Sequence, residues 1–273
     1  MKLDQMTIGE LEDWLRGMSW QQVEKVLPEL REDPRRGVHN LGRRWHTKIE
    51  DKKKEIFRWE NLCRRERELR EKGYRYVAGT DEAGRGPLAG PVVAAAVILP
   101  EDKPLCGLDD SKKLTPRQRR ELFREITSSA LAWSVGSSSP AYIDATDILQ
   151  ATRKAMEQAL AKLSLLPDYL LVDALHLPGV ALPQEGIEGG DGKCACIAAA
   201  SVVAKVTRDT WMEEWDRQYP GYGFARHKGY PTPEHVQALM KLGPCPLHRR
   251  SFEPLASLFP CKSIAGREVG EDG

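Results

Sequence analysis

From Val92 to Leu99 every position is apolar, which reads as a core strand. The short run YRYVAGT, ending at Thr80, reads as the strand before it, with Asp81 at its end and Glu82 just after. Further on the texture alternates. Leu131–Gly136 predicts a third strand, Ile148–Leu163 an amphipathic helix, and Tyr169–Asp173 a short buried strand ending in an acid. Residues 176–190, with glycine and proline, read as a loop. Ile197–Val206 is a small-residue helix that must pack closely on something. Thr115 with Pro116, and Thr232 with Pro233, are helix-start signatures, the second opening a helix near Pro233–Leu242. The alternation predicts an α/β fold.

Ahead of Tyr74 the pattern is helical. Thr7-x-x-Glu10 and Ser19-x-x-Gln22 are capping-box signatures for two short helices within residues 1–33, punctuated by Pro28 and Pro34. Ile8, Leu11, Trp14 and Leu15 form one stripe, and Val23, Val26 and Leu27 another. Residues 34–75 place Leu41, Trp45, Ile49, Ile56, Trp59 and Cys63 at mostly helical spacings, with Gly73 as a stop.

Charge sharpens this division. The whole chain of 273 residues is nearly balanced at +1, so any basic surface is local. Residues 1–33 carry 4 basic against 8 acidic residues, net −4, and residues 34–75 carry 15 against 7, net +8. A basic amphipathic helix of that kind lies along nucleic acid or packs its tryptophans on a neighbour. No apolar run reaches the ~20 residues that span a bilayer, and acids stand where a signal peptide would be apolar, so a cytosolic protein without membrane contact is expected. The six cysteines form no C-x-x-C pair and are expected to be free thiols.

The chemistry concentrates at element boundaries. Asp81, Glu82, Asp173 and Asp191 fall at strand ends or before a helix, where ligands gather in α/β sheets. Carboxylates packed together repel, and must take up protons or cations. Oxygen-only donors suit Mg2+ or Mn2+, and two such ions assist in-line phosphoryl displacement. The competing reading of Asp81–Glu82, before Gly84-Arg85-Gly86, is a charged hairpin tip. A P-loop is not supported, since GRGPLAGP lacks the Gly-Lys-Ser/Thr ending. His227, His235 and His248 match no zinc spacing; surface or capping positions are expected, with a phosphate contact open for His248.

GTDEAGRGPLAGPVVAAAVILP, DDSKKL at 109–114, LLVDAL at 170–175, GD at 190–191, IAAASVVAKVTRD at 197–209, YPGYGFARHKGYPTPEH at 219–235 and LHRRSFEP at 247–254 together resemble bacterial ribonuclease HII. The resemblance runs in order from about 74 to 256, and the helical N-terminus is similar to that of a longer subgroup. It implies a ribonuclease H-like mixed β-sheet flanked by helices, with an N-terminal extension over 1–73, a catalytic domain with C-terminal helices over 74–259, and a flexible tail over 260–273. It implies two substrates, RNA–DNA hybrid and duplex DNA with an embedded ribonucleotide, the latter incised on the 5′ side of the ribonucleotide to leave 3′-hydroxyl and 5′-phosphate ends, and a monomer is the default. Asp81, Glu82, Asp173 and Asp191 fall on the family's metal-binding acids. Gly84, Arg85 and Gly86 fall on its ribonucleotide-contacting loop, and Tyr230 on its 2′-hydroxyl-sensing aromatic. In that context Ser111, Lys112, Lys205 and Lys228 are candidates to hold phosphates. Two positions depart from the pattern: Gly189, where lysine is common, weakens a phosphate contact, and Cys194, where serine is common, adds a thiol open to oxidation if exposed. Gly-Arg-Gly-Pro favours ribonuclease HII over the related ribonuclease HIII, and the four acids argue against a non-catalytic nucleic-acid-binding protein on the same fold.

Overall fold

The computed structural model describes residues 3–101 and 103–260, so the tail expected beyond Phe259 lies outside the described residues from position 261. The chain divides into two compact units between Asn61 and Leu62.

In the first unit, helix α1 (Ile8–Arg16) starts at Thr7 and α2 (Trp20–Glu32) at Ser19, each with a complete capping box. A long helix, α3 (Arg36–Leu62), follows. Leu11, Leu15, Val23, Leu27, Leu30, Val38, Leu41 and Ile49 form one core. Pro28 does not punctuate: α2 runs through it. An interior proline costs about 3 kcal/mol. Burial of Leu27 and Leu30 on either side offsets that cost, at roughly 1.5–3 kcal/mol per side chain.

The second unit opens with α4 (Arg64–Glu71), stopped at Gly73, whose φ of +98° few other residues adopt. Then come β1 (Val77–Ala83), β2 (Val92–Ile98), α5 (Pro116–Ser129), β3 (Ala132–Ser138), α6 (Pro140–Ala145), α7 (Ile148–Ala161), β4 (Tyr169–Asp173), β5 (Gln184–Ile187), α8 (Ala195–Gln218), α9 (Phe224–His227), α10 (Pro233–Leu242) and α11 (Leu255–Leu258). The five strands form a mixed sheet in the order β3-β2-β1-β4-β5. β1 is antiparallel to β2 and parallel to β4. The stretch 176–190 is not all loop, because Gln184–Ile187 adds β5 as an edge strand beside β4.

Strand alternation assigns the two faces. Ala78, Leu170 and Val172, with the even positions of β2, pack on Ala151, Ala155 and Ala159 of α7. Val77 and Leu171 pack on Cys196 and Ile197 of α8. The small residues of α8 let it sit directly on β1. Opposite them is Gly79, where a β-carbon would collide with the backbone of Cys196 and Ile197. The C-terminal helices build a further core from Met212, Tyr222, Phe224, Leu239 and Leu255, and it encloses Leu88 and Ala89 of the β1–β2 connection.

Candidate active site

Asp81 and Glu82 lie inside β1, not at its end. They pair with Ala95 and Ala94, and the chain leaves the ladder only at Gly84, with φ +93°. The small β2 residues opposite leave room for both acids. A hairpin-tip role is excluded, since Asp81 is 4% exposed. The last parallel pair between β1 and β4 is Thr80 with Val172. One step further stands Asp81 beside Asp173, with about 4.8 Å between strands. Both belong to the set that faces α8. Asp191 is buried in a 3-10 turn, Gly190–Gly192, directly before α8.

The electrostatics bind these acids into one group. Burial, then the charges of Glu82 and Asp173, push the Asp81 carboxyl well above the usual range. Burial also raises Glu82, against the opposing field of Arg85, with Asp173 adding to the rise. Burial raises Asp173, partly offset by the Gly190 amide, and Asp191 adds repulsion. Burial works against the charge of Lys112, but Asp191, Asp110 and Asp81 outweigh it and raise its pKa. Asp110 is thus a fifth carboxylate of the neighbourhood that the sequence did not single out.

Each acid is also held in place. The Glu82 N–H donates to Asp81 Oδ1 at 2.7 Å, and the Ser201 hydroxyl on α8 favours the charged form of Asp81. Ser201 Oγ lies 2.8 Å from Ser111 Oγ, so Ser111 is buried behind the acids. The Gly190 N–H donates to Asp173 Oδ1 at 2.7 Å. Lys112 Nζ donates to Asp191 Oδ2 at 3.2 Å, and Arg85 Nη1 to Glu82 Oε1 at 3.3 Å. Because Asp191 and Glu82 are turned to these cations, no three Asp, Glu, His or Cys side chains among the described residues close on a single point. Glu82 Oε2 is buried without a hydrogen-bond partner. Oxygen-only donors, mutually repelling and partly unpartnered, fit a hard divalent cation.

The remaining candidates surround this group. A β-carbon on Gly86 would stand 3.7 Å from Tyr230 Cε1, so loop and ring are neighbours. Tyr230, Lys205 and Lys228 line one cleft of about 480 Å3 with Arg119, Arg120 and Arg226. Within it Lys205 pairs with Asp209 at 2.8 Å and Lys228 with Glu213 at 2.7 Å. Gly189 takes φ +61°, a left-handed conformation that suits glycine. Cys194 is buried, and burial pushes its thiol up to about 12, so the condition for oxidation is not met. The five described cysteines are all free thiols.

Sequence reasoning missed two arginines. Arg208 of α8 and Arg249 are both fully buried, and burial lowers their pKa values to about 10 and about 9, which leaves the charges intact at neutral pH. It also placed the histidines wrongly: His227, His235 and His248 are buried together behind Tyr230, so His248 is no phosphate contact. Arg208 did carry a signal, since it shares a helical stripe with Ser201 and Met212, which are buried too.

The ribonuclease HII family profile matches residues 78–254, and the ribonuclease HII N-terminal domain profile matches residues 7–70. Ribonuclease HII of Geobacillus thermodenitrificans is 52% identical over 253 residues, covering 89% of this chain and 97% of the relative. Ribonuclease HII of Desulfitobacterium hafniense is 48% identical, covering 93% and 96%. The crystal structure of ribonuclease H2 from Pyrococcus horikoshii superposes with a TM-score of 0.57 at 27% identity, covering 67% of this chain and 97% of that one. With the mixed sheet and its acids in place, these matches show that the chain belongs to the ribonuclease HII family and is a hydrolase, an endonuclease of the ribonuclease H type.

Proposed function

We propose that the protein hydrolyses the RNA strand of RNA–DNA hybrids and also incises duplex DNA on the 5′ side of a single embedded ribonucleotide, leaving 3′-hydroxyl and 5′-phosphate ends. The observation that carries this reading is the register that sets Asp81 beside Asp173 on the face covered by α8. Asp81, Glu82, Asp173 and Asp191 would hold the metal, Mg2+ or Mn2+, with two ions per site. When bound, the ions supply a lowered pKa for the attacking water and neutralise charge on the leaving oxygen.

The chain's own residues do the rest. The Glu82 amide holds Asp81 Oδ1, and Ser201, hydrogen-bonded to Ser111, favours the charged form of that carboxylate. The Gly190 amide fixes Asp173. Gly84, Arg85 and Gly86 bring backbone close to the ribose, and the 2′-hydroxyl is the group that separates RNA from DNA at one position. Tyr230 packs on the neighbouring sugar from the other side of the loop. Lys112, Lys205 and Lys228 meet backbone phosphates by exchanging their present carboxylate partners, which makes binding salt-dependent. The basic extension adds affinity for the duplex. A cytoplasmic monomer is the setting proposed, and no helix among the described residues is long and apolar enough to cross a membrane.

The test is cleavage of a duplex carrying one ribonucleotide, with and without Mg2+. Metal-dependent incision 5′ of the ribonucleotide is expected. Cleavage of hybrid alone would reduce the reading to a ribonuclease HIII-like activity.

A further inference from the structure

Arg208 and Arg249 are both 0% exposed, and neither has a carboxylate within ion-pair distance among the described residues. Burying a charge without a counter-charge is costly unless its hydrogen bonds are met. Here they are met by backbone carbonyls alone. Arg249 Nε donates to Gly90 O at 2.9 Å, Nη1 to Arg85 O at 2.8 Å, and Nη2 to Gly84 O. Arg208 Nε donates to Pro91 O at 3.0 Å, Nη2 to Ala89 O at 2.9 Å, and Nη1 to Lys228 O at 3.0 Å. The pair thus grips the connection 84–91 from inside, and Arg208 ties it to the segment leading into Tyr230.

The grip has a directional consequence. In a trans peptide the carbonyl and the following N–H point in opposite directions. The one cis bond among the described residues is Glu253-Pro254. With the Gly84 and Arg85 oxygens turned inward to Arg249, the Arg85 and Gly86 amides turn outward, on the side open to Tyr230. Neither amide has a protein acceptor among the described residues. A charged donor on each carbonyl also polarises the peptide and strengthens the amide on its far side.

We infer that Arg249 is a positioning residue for ribose discrimination: its fork holds the Gly84 and Arg85 carbonyls so that the Arg85 and Gly86 amides stand ready for a 2′-hydroxyl. The inference rests on the reading of Gly84-Arg85-Gly86 as the ribose sensor. Arg249 reaches no phosphate itself, because it is fully buried. Lysine keeps the charge but lacks the fork that spans two adjacent carbonyls.

The experiment compares affinity for a duplex with one ribonucleotide and for the same duplex in all-DNA form, with Ca2+ replacing Mg2+ to hold back hydrolysis. For Arg249→Lys the ribonucleotide preference falls about tenfold, the worth of one lost hydrogen bond. All-DNA affinity and its salt slope stay as in the wild type, and kcat for incision falls more than KM changes. A preserved preference in folded Arg249→Lys overturns the inference. So does an equal loss on both duplexes with a shallower salt slope, which marks a phosphate contact. Should Arg249→Lys fail to fold, Phe252→Leu serves. The guanidinium carbon lies 5.0 Å from the Phe252 ring centroid, so that change loosens the fork while retaining Arg249. A severalfold fall in preference is expected there too, and an unchanged preference overturns the inference. A wild-type protein with no preference for the ribonucleotide fails at the sensor reading itself, before Arg249 is touched.

Discussion

His248 Nε2 lies 3.1 Å from His235 Nε2, and the bonds around the pair admit one proton arrangement. The Cys245 N–H donates to His248 Nδ1 at 3.0 Å, so that ring carries its proton on Nε2 and donates it to His235. His235 then carries its proton on Nδ1 and donates to Tyr230 O at 2.9 Å. Both rings are neutral, and burial lowers each pKa to about 4. His227 stacks on His235 with centroids 4.3 Å apart, and Arg250 adds positive field at His248.

A pH dependence of stability follows from that pair. Both folded pKa values lie below the ordinary histidine value of 6.5, so the unfolded chain takes up protons first as pH falls. The stabilisation is complete above pH 6.5 and is lost progressively toward pH 4, on the order of 3 kcal/mol for each ring. The active-site carboxyls run the other way, because their folded pKa values are raised. The readout is therefore a difference. Urea unfolding at pH 7.5 and pH 5 should show a larger loss for the wild type than for His248→Gln, whose amide keeps one acceptor and one donor. Equal losses would contradict the assignment.

Glu66 makes a second prediction. From α4 its Oε1 accepts the Cys196 N–H at 2.8 Å, capping the first turn of α8. Burial raises its pKa, and its Oε2 has no partner. Glu66→Gln keeps an acceptor and sheds the cost of a buried charge, so its melting temperature should match or exceed the wild type's. Glu66→Ala orphans the amide and should cost about 1–2 kcal/mol, a drop of several degrees. Thermal melts of the two variants decide it, and a milder loss in Glu66→Ala would refute the capping role. Deletion of residues 1–61 spares this cap and deletion of 1–70 removes it. The contribution of the basic extension to the salt slope is thus to be measured with the shorter deletion, which should flatten it.

Asp81, Glu82, Asp173 and Asp191 were legible as a set because each stands at a punctuation point of the pattern. Their grouping was not legible, since it depends on the parallel register of β1 with β4, and register leaves no mark in either strand alone. β1 runs past Thr80 although acids are poor strand formers, because pairing with the alanines of β2 overrides that preference. Gln184–Ile187 has no apolar alternation, so its pattern alone reads as loop. Arg208 and Arg249 escaped because hydropathy assigns arginine to the surface, and only the fold shows the inward-turned carbonyls that keep them buried.

Tyr230 is 42% exposed and beside Gly86, so its ring is free to pack on a sugar. Tyr230→Ala should lower kcat/KM for single-ribonucleotide incision by roughly 10- to 100-fold, the range set by a lost stacking contact. Affinity for a continuous hybrid should fall less, because many phosphate contacts remain. Tyr230→Phe separates the ring from the hydroxyl. Equal losses of incision and of hybrid binding in Tyr230→Ala would count against a sensing role.

Asp173→Asn separates catalysis from folding. The asparagine Oδ1 still accepts the Gly190 N–H, so the turn that carries Asp191 keeps its anchor. One negative charge leaves a group in which Asp81 and Glu82 are both pushed up by Asp173, so repulsion falls. The melting temperature should therefore hold or rise. Turnover should fall roughly 10³-fold or more even in saturating Mg2+, because an amide oxygen is a weaker ligand than a carboxylate and the two-ion arrangement fails. A lower melting temperature would show that Asp173 supports the fold through more than the Gly190 bond. Near-normal turnover would remove it from the metal-binding set.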